Sequence, residues 1–174
     1  KQIAIALENA HLFRSAVEAA QRLSTLHWAG QEIVSASIDT QHLYQAIHEA
    51  ASRLMDSEIF VIAIADEKEK TFKIAYTANQ DGRCQPTQQE ETLCTQVIHA
   101  GRPILLPDTT QLNDIEWIHF DESAKVRSVL AVPLKLGPRV LGVLTTQNHQ
   151  PYAYNHEDQH LLELLAAHAA AAID

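Results

Sequence analysis

The chain has 174 residues, of which 46% are hydrophobic and 20% charged, and its formal net charge is −9 at pH 7. This length and composition are typical of one globular domain with a substantial core. An acidic chain without a basic stripe is a poor binder of nucleic acid, and no apolar run reaches the roughly 20 residues of a membrane span. Two cysteines cannot form a disulfide framework, so we expect a cytoplasmic protein.

The first predicted element is a long helix from Gln2 to about Ser35. Apolar, small and amide side chains alternate in it by four and three residues, which is a heptad seam. The seam contains Ile5, Asn9, Leu12, Ala16, Ala19, Leu23 and Leu26. A small domain cannot cover a helix of this length, so we predict a parallel homodimer in which Asn9 faces its symmetry mate. The alternative is a helix laid entirely on the core of its own domain.

The remaining predicted elements alternate between hairpins and helices. In chain order they are a helix capped by Asp39, strands at 59–65 and 71–77, a helix at 91–100, a short strand at 103–106, a long connection at 108–126, strands at 128–136 and 139–147, and a helix capped by Asn155. In the second strand Phe72, Ile74 and Tyr76 alternate with polar residues. Strands that come in hairpins predict an α+β fold, an antiparallel sheet with helices packed on a face.

Both ends of the chain lie inside apolar periodic segments. Gln2–Glu8 is similar to His168–Asp174 in the placement of its small and apolar residues. We therefore expect a piece of a longer chain in which similar domains are joined by helices.

Several stretches, in this order, resemble the GAF domain family. They are Val97–Asp108, Arg127–Leu134, Val140–Leu144, Tyr154–Asp158 and Leu161–Ala166. The resemblance covers residues 26–174 and makes residues 1–25 a linker helix from a preceding domain. It implies an antiparallel sheet with the terminal helices on one face and a small-molecule pocket under a lid on the other. It also implies a sensory role beside adjacent domains of a parent protein.

Large or polar side chains on the strands and in the long connection are candidates for this pocket. They are Tyr76, Trp117, His119, Phe120, Ser128, Thr145 and Gln147. Trp117 and Phe120 could equally fill the space as plugs. Most strands are apolar on both faces, so the alternation does not decide which side chains point into the pocket.

The ligand is not identified by the residues. The family's cyclic-nucleotide signature matches Asn148 and Tyr154, but His149 stands where that signature has lysine. Residues 109–126 contain no cysteine, which disfavours a covalently bound bilin. His156 and His160 are four residues apart, but no third ligand is near in sequence, so we predict no metal site there. His119 is disfavoured as a haem ligand for the same reason. No cofactor is assigned.

Cys84 and Cys94 resemble two of the three cysteines of the free-methionine-sulfoxide reductases in this family. The third cysteine, which is the nucleophile there, is absent from the corresponding stretch, Asp121–Ala124. The two cysteines are therefore a chance pair, a redox pair or a relic. We predict no catalytic residues and no enzyme activity.

Together these features predict a non-catalytic sensory module of a larger bacterial signalling protein, a histidine kinase or response regulator of a two-component system. Such a module would bind a small molecule, dimerise through its terminal helices, or do both. Two alternatives stay open: a degenerate module that only dimerises, and a reductase-like enzyme lacking its third cysteine.

Overall fold

The computed structural model describes residues 2–36, 39–66, 71–79, 93–111 and 126–174. Its helices are α1 (Gln2–Ala36), α2 (Thr40–Leu54), α3 (Leu93–Ala100) and α4 (His156–Ile173), and a 3-10 turn covers Thr109–Gln111. Its strands are β1 (Ile59–Asp66), β2 (Thr71–Asn79), β3 (Ile104–Leu106), β4 (Ser128–Leu136) and β5 (Arg139–Asn148). The predicted α+β class is confirmed.

The strands form one antiparallel sheet in the order β2-β1-β5-β4-β3. The central pair is β1 and β5, in which Val61 lies opposite Thr145 and Ile59 opposite Gln147. The pairs β1–β2 and β4–β5 are hairpins, as expected from the sequence, whereas β2 and β3 lie at opposite edges, so the chain crosses the sheet between them.

Helices α1, α2 and α4 cover one face of the sheet. Phe60, Leu130 and Leu144 point into this layer and pack with side chains such as Ile47 and Leu162. The predicted caps are present, since Asp39 accepts a hydrogen bond from the Gln41 amide at 3.0 Å and Asn155 forms a capping box with Asp158. These caps satisfy backbone groups that each helix start leaves free.

Helix α3 lies against the opposite face. Leu93, Cys94 and Val97 of this helix pack on Val61 and Val143 of the central strands. The sheet is therefore buried on both sides, which explains why its central strands read as continuous apolar runs.

Helix α1 is covered only along its second half. Residues 7–21 are exposed, whereas Leu26, Ala29 and Ile33 are buried against the domain. Helix α4 runs parallel to this half, because Arg22 pairs with Glu157 and Gly30 lies beside the His168 ring. Along this continuous helix Arg22 is the first partly buried residue after the exposed stretch, and Leu26 is the first fully buried one.

Candidate functional site

Two of the predicted pocket residues lie on the α3 side of the sheet. Thr145 stands opposite Val61 and Ala131, and Gln147 opposite Ile59 and Val129, all of which belong to the apolar cluster under α3. Paired residues of antiparallel strands share a face, so both polar side chains point into this layer. Both are buried, since Thr145 is completely inaccessible to solvent and Gln147 is only 3% exposed.

The Thr145 hydroxyl is the unusual group of this face. Its Oγ1 is buried and has no hydrogen-bond partner in the part of the chain that the structure describes. A buried hydroxyl without a partner costs free energy, so native proteins rarely keep one without a reason. The neighbouring Thr146 points the other way, and its hydroxyl lies 2.9 Å from Ser57 Oγ and 3.0 Å from Tyr154 Oη.

Tyr76 and Ser128 are not on this face. A β-bulge between Ile62 and Ala63 adds a residue to β2, so Phe72 and Ile74 face α3 while Tyr76 faces the helical layer. The strict alternation predicted for β2 is therefore interrupted, and Tyr76 cannot line the same space as Thr145. Ser128 shares the helical face with Leu130, and its hydroxyl donates to the Gln150 carbonyl at 2.8 Å.

Tyr76 takes part in a half-buried aromatic group on the helical side. Its hydroxyl lies 3.2 Å from His48 Nδ1, and the His48 ring stacks on Phe60 with the centroids 5.1 Å apart. Burial lowers the pKa of His48, against an opposing effect of the nearby Glu49 carboxylate. Burial raises the pKa of Tyr76, and the Glu49 carboxylate raises this pKa by a smaller amount. These residues attach α2 to the sheet.

Three further candidates, Trp117, His119 and Phe120, lie outside the described residues. The chain segments on both sides of residues 112–125 are described, and an ion pair joins them. Arg127 donates from Nε and Nη2 to the two Asp108 oxygens, at 3.2 and 3.0 Å. This bidentate arrangement and the bonds from Thr110 hold the pKa of Asp108 at about 2.

Backbone contacts strengthen the same junction. The Thr109 amide donates to the Arg127 carbonyl at 2.8 Å, and the Thr109 hydroxyl donates to the Val126 carbonyl at 2.7 Å. The described residues at the two ends of the predicted connection are therefore fixed to each other.

Cys94 of α3 is fully buried against the sheet, and burial raises the pKa of its thiol to about 12. Since the thiolate is the reactive form, this environment makes Cys94 a poor nucleophile. Cys84 lies outside the described residues, so the redox pair of Cys84 and Cys94 stays a prediction.

Asn148, which matches the cyclic-nucleotide signature, and His149, which stands at its lysine position, contact the loop between α2 and β1. The Asn148 amide donates to Asp56 at 3.1 Å, and His149 Nδ1 lies 2.6 Å from Glu58 Oε2. Sequence analysis missed these contacts, because the partners are more than 90 residues apart and no local pattern joins them. Their chemistry here is structural, since they fix the loop to the end of β5.

Another cleft opens at the far end of the sheet, between the β1–β2 hairpin and α3. Its volume is about 250 Å³, and its walls include Phe72, Ile98 and Val140, with Asp66 and His99 at the same site. Of the predicted pocket residues that the structure describes, Tyr76, Ser128, Thr145 and Gln147, none lines it.

Neither metal-site nor membrane-span geometry occurs in the described ranges. No three His, Cys, Asp or Glu side chains within them converge as a metal site. No helix in these ranges is long and apolar enough to cross a bilayer.

The fold, with its antiparallel sheet between a layer of terminal helices and a single helix on the opposite face, is of the α+β class. A family model described as the GAF domain matches residues 37–174, and the chain belongs to this family. GAF domains are generally regulatory modules. The matched region begins directly after α1, so the long first helix precedes the family's common core.

Solved structures share the fold at low sequence identity. The GAF domain of an Acinetobacter phosphoenolpyruvate-protein phosphotransferase is 21% identical, covers 88% of this chain and 92% of its own, and has a TM-score of 0.73. A free methionine-R-sulfoxide reductase from Neisseria meningitidis, solved with its substrate, is 17% identical over 90% of both chains, also with a TM-score of 0.73. No curated protein matches the chain. At these identities the likeness extends to the fold alone.

Proposed function

We propose that this chain is a non-catalytic sensory module of a larger bacterial signalling protein, of the histidine kinase or response regulator type. It works as a parallel homodimer through α1, and it binds an uncharged small molecule on the α3 side of the sheet. The observation that carries this proposal is the continuity of α1, which passes unbroken from an exposed apolar half to a half packed in the domain.

The apolar residues of the first half support the dimer. Leu12 is 60% exposed and Leu23 is 66% exposed, and both belong to the predicted heptad seam. Helix α4, which runs beside the second half of α1, has another exposed row of residues spaced by four and three. This row contains His160, Leu164, Ala167 and Ala171.

A parallel arrangement of α1 and α4 also suits a chain of domains. Because the two helices run in the same direction, the polypeptide enters at one end of the domain and leaves at the other. A change on the sheet would move α1 and α4 together and reach neighbouring domains at both ends. This supports the expected arrangement of adjacent domains in a parent protein.

A cysteine cross-link in the seam, combined with a charge substitution there, tests the dimer. Cysteine at position 9 (Asn9→Cys) should cross-link two copies at equal positions, because Asn9 faces its symmetry mate. Leu23→Glu should abolish this cross-link and reduce the sedimentation mass by at least half, since it brings two carboxylates together in an apolar interface. Ser15→Glu, on the charged side of the same exposed half, is the control and should change neither. An unmodified chain that sediments as a monomer at high micromolar concentration would disprove the dimer.

The Thr145 hydroxyl, which has no hydrogen-bond partner among the described residues, supports the proposed ligand. Its strand neighbours Val61 and Ala131 are apolar, and Gln147 on the same face is neutral, so this part of the sheet combines apolar side chains with two neutral polar ones. A bound molecule with an apolar body and one polar group would satisfy Thr145 without burying an unpaired charge. Native mass spectrometry of the purified chain tests directly for such a retained molecule.

Adjacent threonines provide a matched pair of variants. Thr145→Val removes an unpaired hydroxyl, so it should stabilise the ligand-free protein by about 1 kcal/mol. Thr146→Val removes a hydroxyl that bonds Ser57 and Tyr154, so it should destabilise by about 1–3 kcal/mol. Urea denaturation measures both. Ligand that is retained by the unmodified chain should be lost from Thr145→Val and kept by Thr146→Val.

The alternatives predict different results in the same experiments. A module that only dimerises would retain no molecule and would pass the cross-linking test. A reductase-like enzyme would need a reactive thiol, and the high pKa of buried Cys94 disfavours that residue in this role.

A further inference from the structure

Helix α1 has one exposed row of residues along its whole length, including the half that packs on the domain. With about 100° between successive residues, several residues of the stretch 5–34 share an arc about 60° wide. They are Ile5, Asn9, Leu12, Ala16, Leu23, His27, Gly30 and Val34. All except Gly30 are exposed, and Val34 is 66% exposed, as much as Leu23. The α1 row formed by these residues contains no Asp, Glu, Lys or Arg.

The α1 row repeats every 11 residues and not every seven. Leu12, Leu23 and Val34 follow one another at this spacing. The heptad positions Leu26 and Ile33 instead turn away from the row and are buried in the domain. Eleven residues span about three turns of an α-helix, so the row runs almost straight along the helix. Two helices paired along it stay in contact beside the domain, where a heptad seam would wind into the core.

The α1 row lies on the side of its helix that adjoins α4. Gly30, within the row, lies beside the His168 ring of α4. Trp28, about 160° away around the helix, lies beside the Arg53 guanidinium of α2. In α4, His168 is one turn after Leu164 of the exposed α4 row. The α1 row and the exposed α4 row therefore border one surface.

The two rows also match in height. Helices α1 and α4 run in the same direction, and their two contacts join residues numbered 135 and 138 positions apart. Residues about 137 positions apart are therefore level with each other. The level pairs are Leu23 with His160, His27 with Leu164, Gly30 with Ala167 and Val34 with Ala171. The α1–α4 face made of these pairs is continuous with the exposed first half of α1.

We infer that a second copy of this chain covers the α1–α4 face, with its own α1 lying between α1 and α4 of the first copy. This extends the proposed parallel dimer, on which it rests, from the free half of α1 to the domain. A two-fold axis between the two α1 helices places each of them on the α1–α4 face of the other copy. Both faces are then covered at once, and the arrangement closes at two copies.

The polar members of the α1 row support a second copy as the occupant. A two-fold axis parallel to the helices sets Asn9 and His27 against their own symmetry mates. An amide and a neutral imidazole each have a donor and an acceptor, so each can bond its own mate. A partner of another sequence would have to supply polar groups at both of these heights in an otherwise apolar row.

The two His27 side chains make this interface sensitive to acid. Two neutral imidazoles can bond each other, whereas two protonated ones place like charges in an apolar surface. The residues one turn from His27 on α1 are uncharged, and the titratable groups near its height on α4 are His160, Glu163 and His168. Acid also makes the net charge of −9 less negative, which by itself favours association. A dimer that weakens in acid therefore reports the interface and not the overall charge.

Sedimentation of the full chain tests the face with one charge on each helix. Val34→Glu and Leu164→Glu should each raise the dissociation constant of the dimer about tenfold or more, because each places carboxylates in an apolar interface. Gln21→Glu, exposed on the side of α1 turned away from the row, is the control and should leave the constant unchanged. All three positions are exposed, so the fold should persist, which circular dichroism checks.

The position of the partner's helix is tested by mixing two single variants. Gln31 lies on the side of the α1 row away from its own α4, where the axis brings the α4 of the partner. Gln31→Cys and Ala167→Cys should therefore form a disulfide between copies, identified by mass spectrometry of the linked peptides.

The acid response is measured on the same chain. The dissociation constant should rise about threefold or more from about pH 7.5 to about pH 6.0, and His27→Asn should remove this rise. An equal response of the two chains, no disulfide in the mixture, or dimers unaffected by Leu164→Glu would each overturn the extended interface. The proposed dimer would still stand if Asn9→Cys cross-links to itself, whereas a monomeric unmodified chain overturns both.

Discussion

The two halves of α1 have the same periodicity but opposite environments. Leu12 in the first half is 60% exposed, whereas Ile33 in the second half is completely buried by the chain's own domain. Both belong to a row spaced by four and three residues. A heptad pattern therefore indicates that a helix face is buried but does not identify what buries it.

The two halves also turn different sides inward. With about 100° between successive residues, Leu26, Ala29 and Ile33 are centred about 140° around the helix from the middle of the arc that holds the apolar and small residues of positions 5–23. The second half fits the groove between α2 and α4, where the Arg53 guanidinium also lies 3.9 Å from the centre of the Trp28 ring. One continuous helix thus joins a folding surface to an interaction surface.

The largest effect should come from truncating one residue in each half. Ile33→Ala leaves a cavity in a closed core and should lower the free energy of unfolding by about 2–5 kcal/mol. Leu12→Ala should change it by no more than about 0.5 kcal/mol at concentrations where the chain is monomeric, and should weaken association instead. Urea denaturation and sedimentation separate the two outcomes. Equal losses of stability would mean that the first half packs on the domain.

A smaller effect is expected at the junction of the two helices. Glycine within a helix costs about 0.5–1 kcal/mol relative to alanine. A Cβ atom at Gly30 would lie 3.4 Å from the nearest atoms of the exposed His168 ring, an ordinary contact. Gly30→Ala should therefore raise the thermal midpoint slightly and leave the sedimentation mass unchanged. A fall in the midpoint that His168→Ala reverses would show that the two helices need the glycine to approach closely.

The pocket candidates show where sequence reasoning reached its limit. Thr145 and Gln147 belong together, as expected for two residues with the same parity on one strand. Tyr76 does not join them, because a bulge in β2 reverses the face of every residue after it. A bulge depends on how two strands pair and leaves no mark in an apolar sequence.

The sequence by itself determined the elements, their order and the family. Hydrophobic periods distinguish helix from strand locally, and the caps at Asp39 and Asn155 mark the starts of helices through bonds that span two or three residues. The resemblance to the GAF family rested on several motifs that follow one another along this chain in the family's order, and the family model confirms it.

Only the tertiary structure decided which side chains are buried and, among the described residues, which polar groups have hydrogen-bond partners. The pairing of Asp108 with Arg127, the burial of Cys94 and the lack of a partner for the Thr145 hydroxyl within the described residues all depend on strands and helices that are distant in sequence. The division of α1 at about residue 22 has the same origin, because it marks where α4 begins to cover the helix. Local preferences act over a few residues, whereas burial and polar pairing are properties of the packed whole.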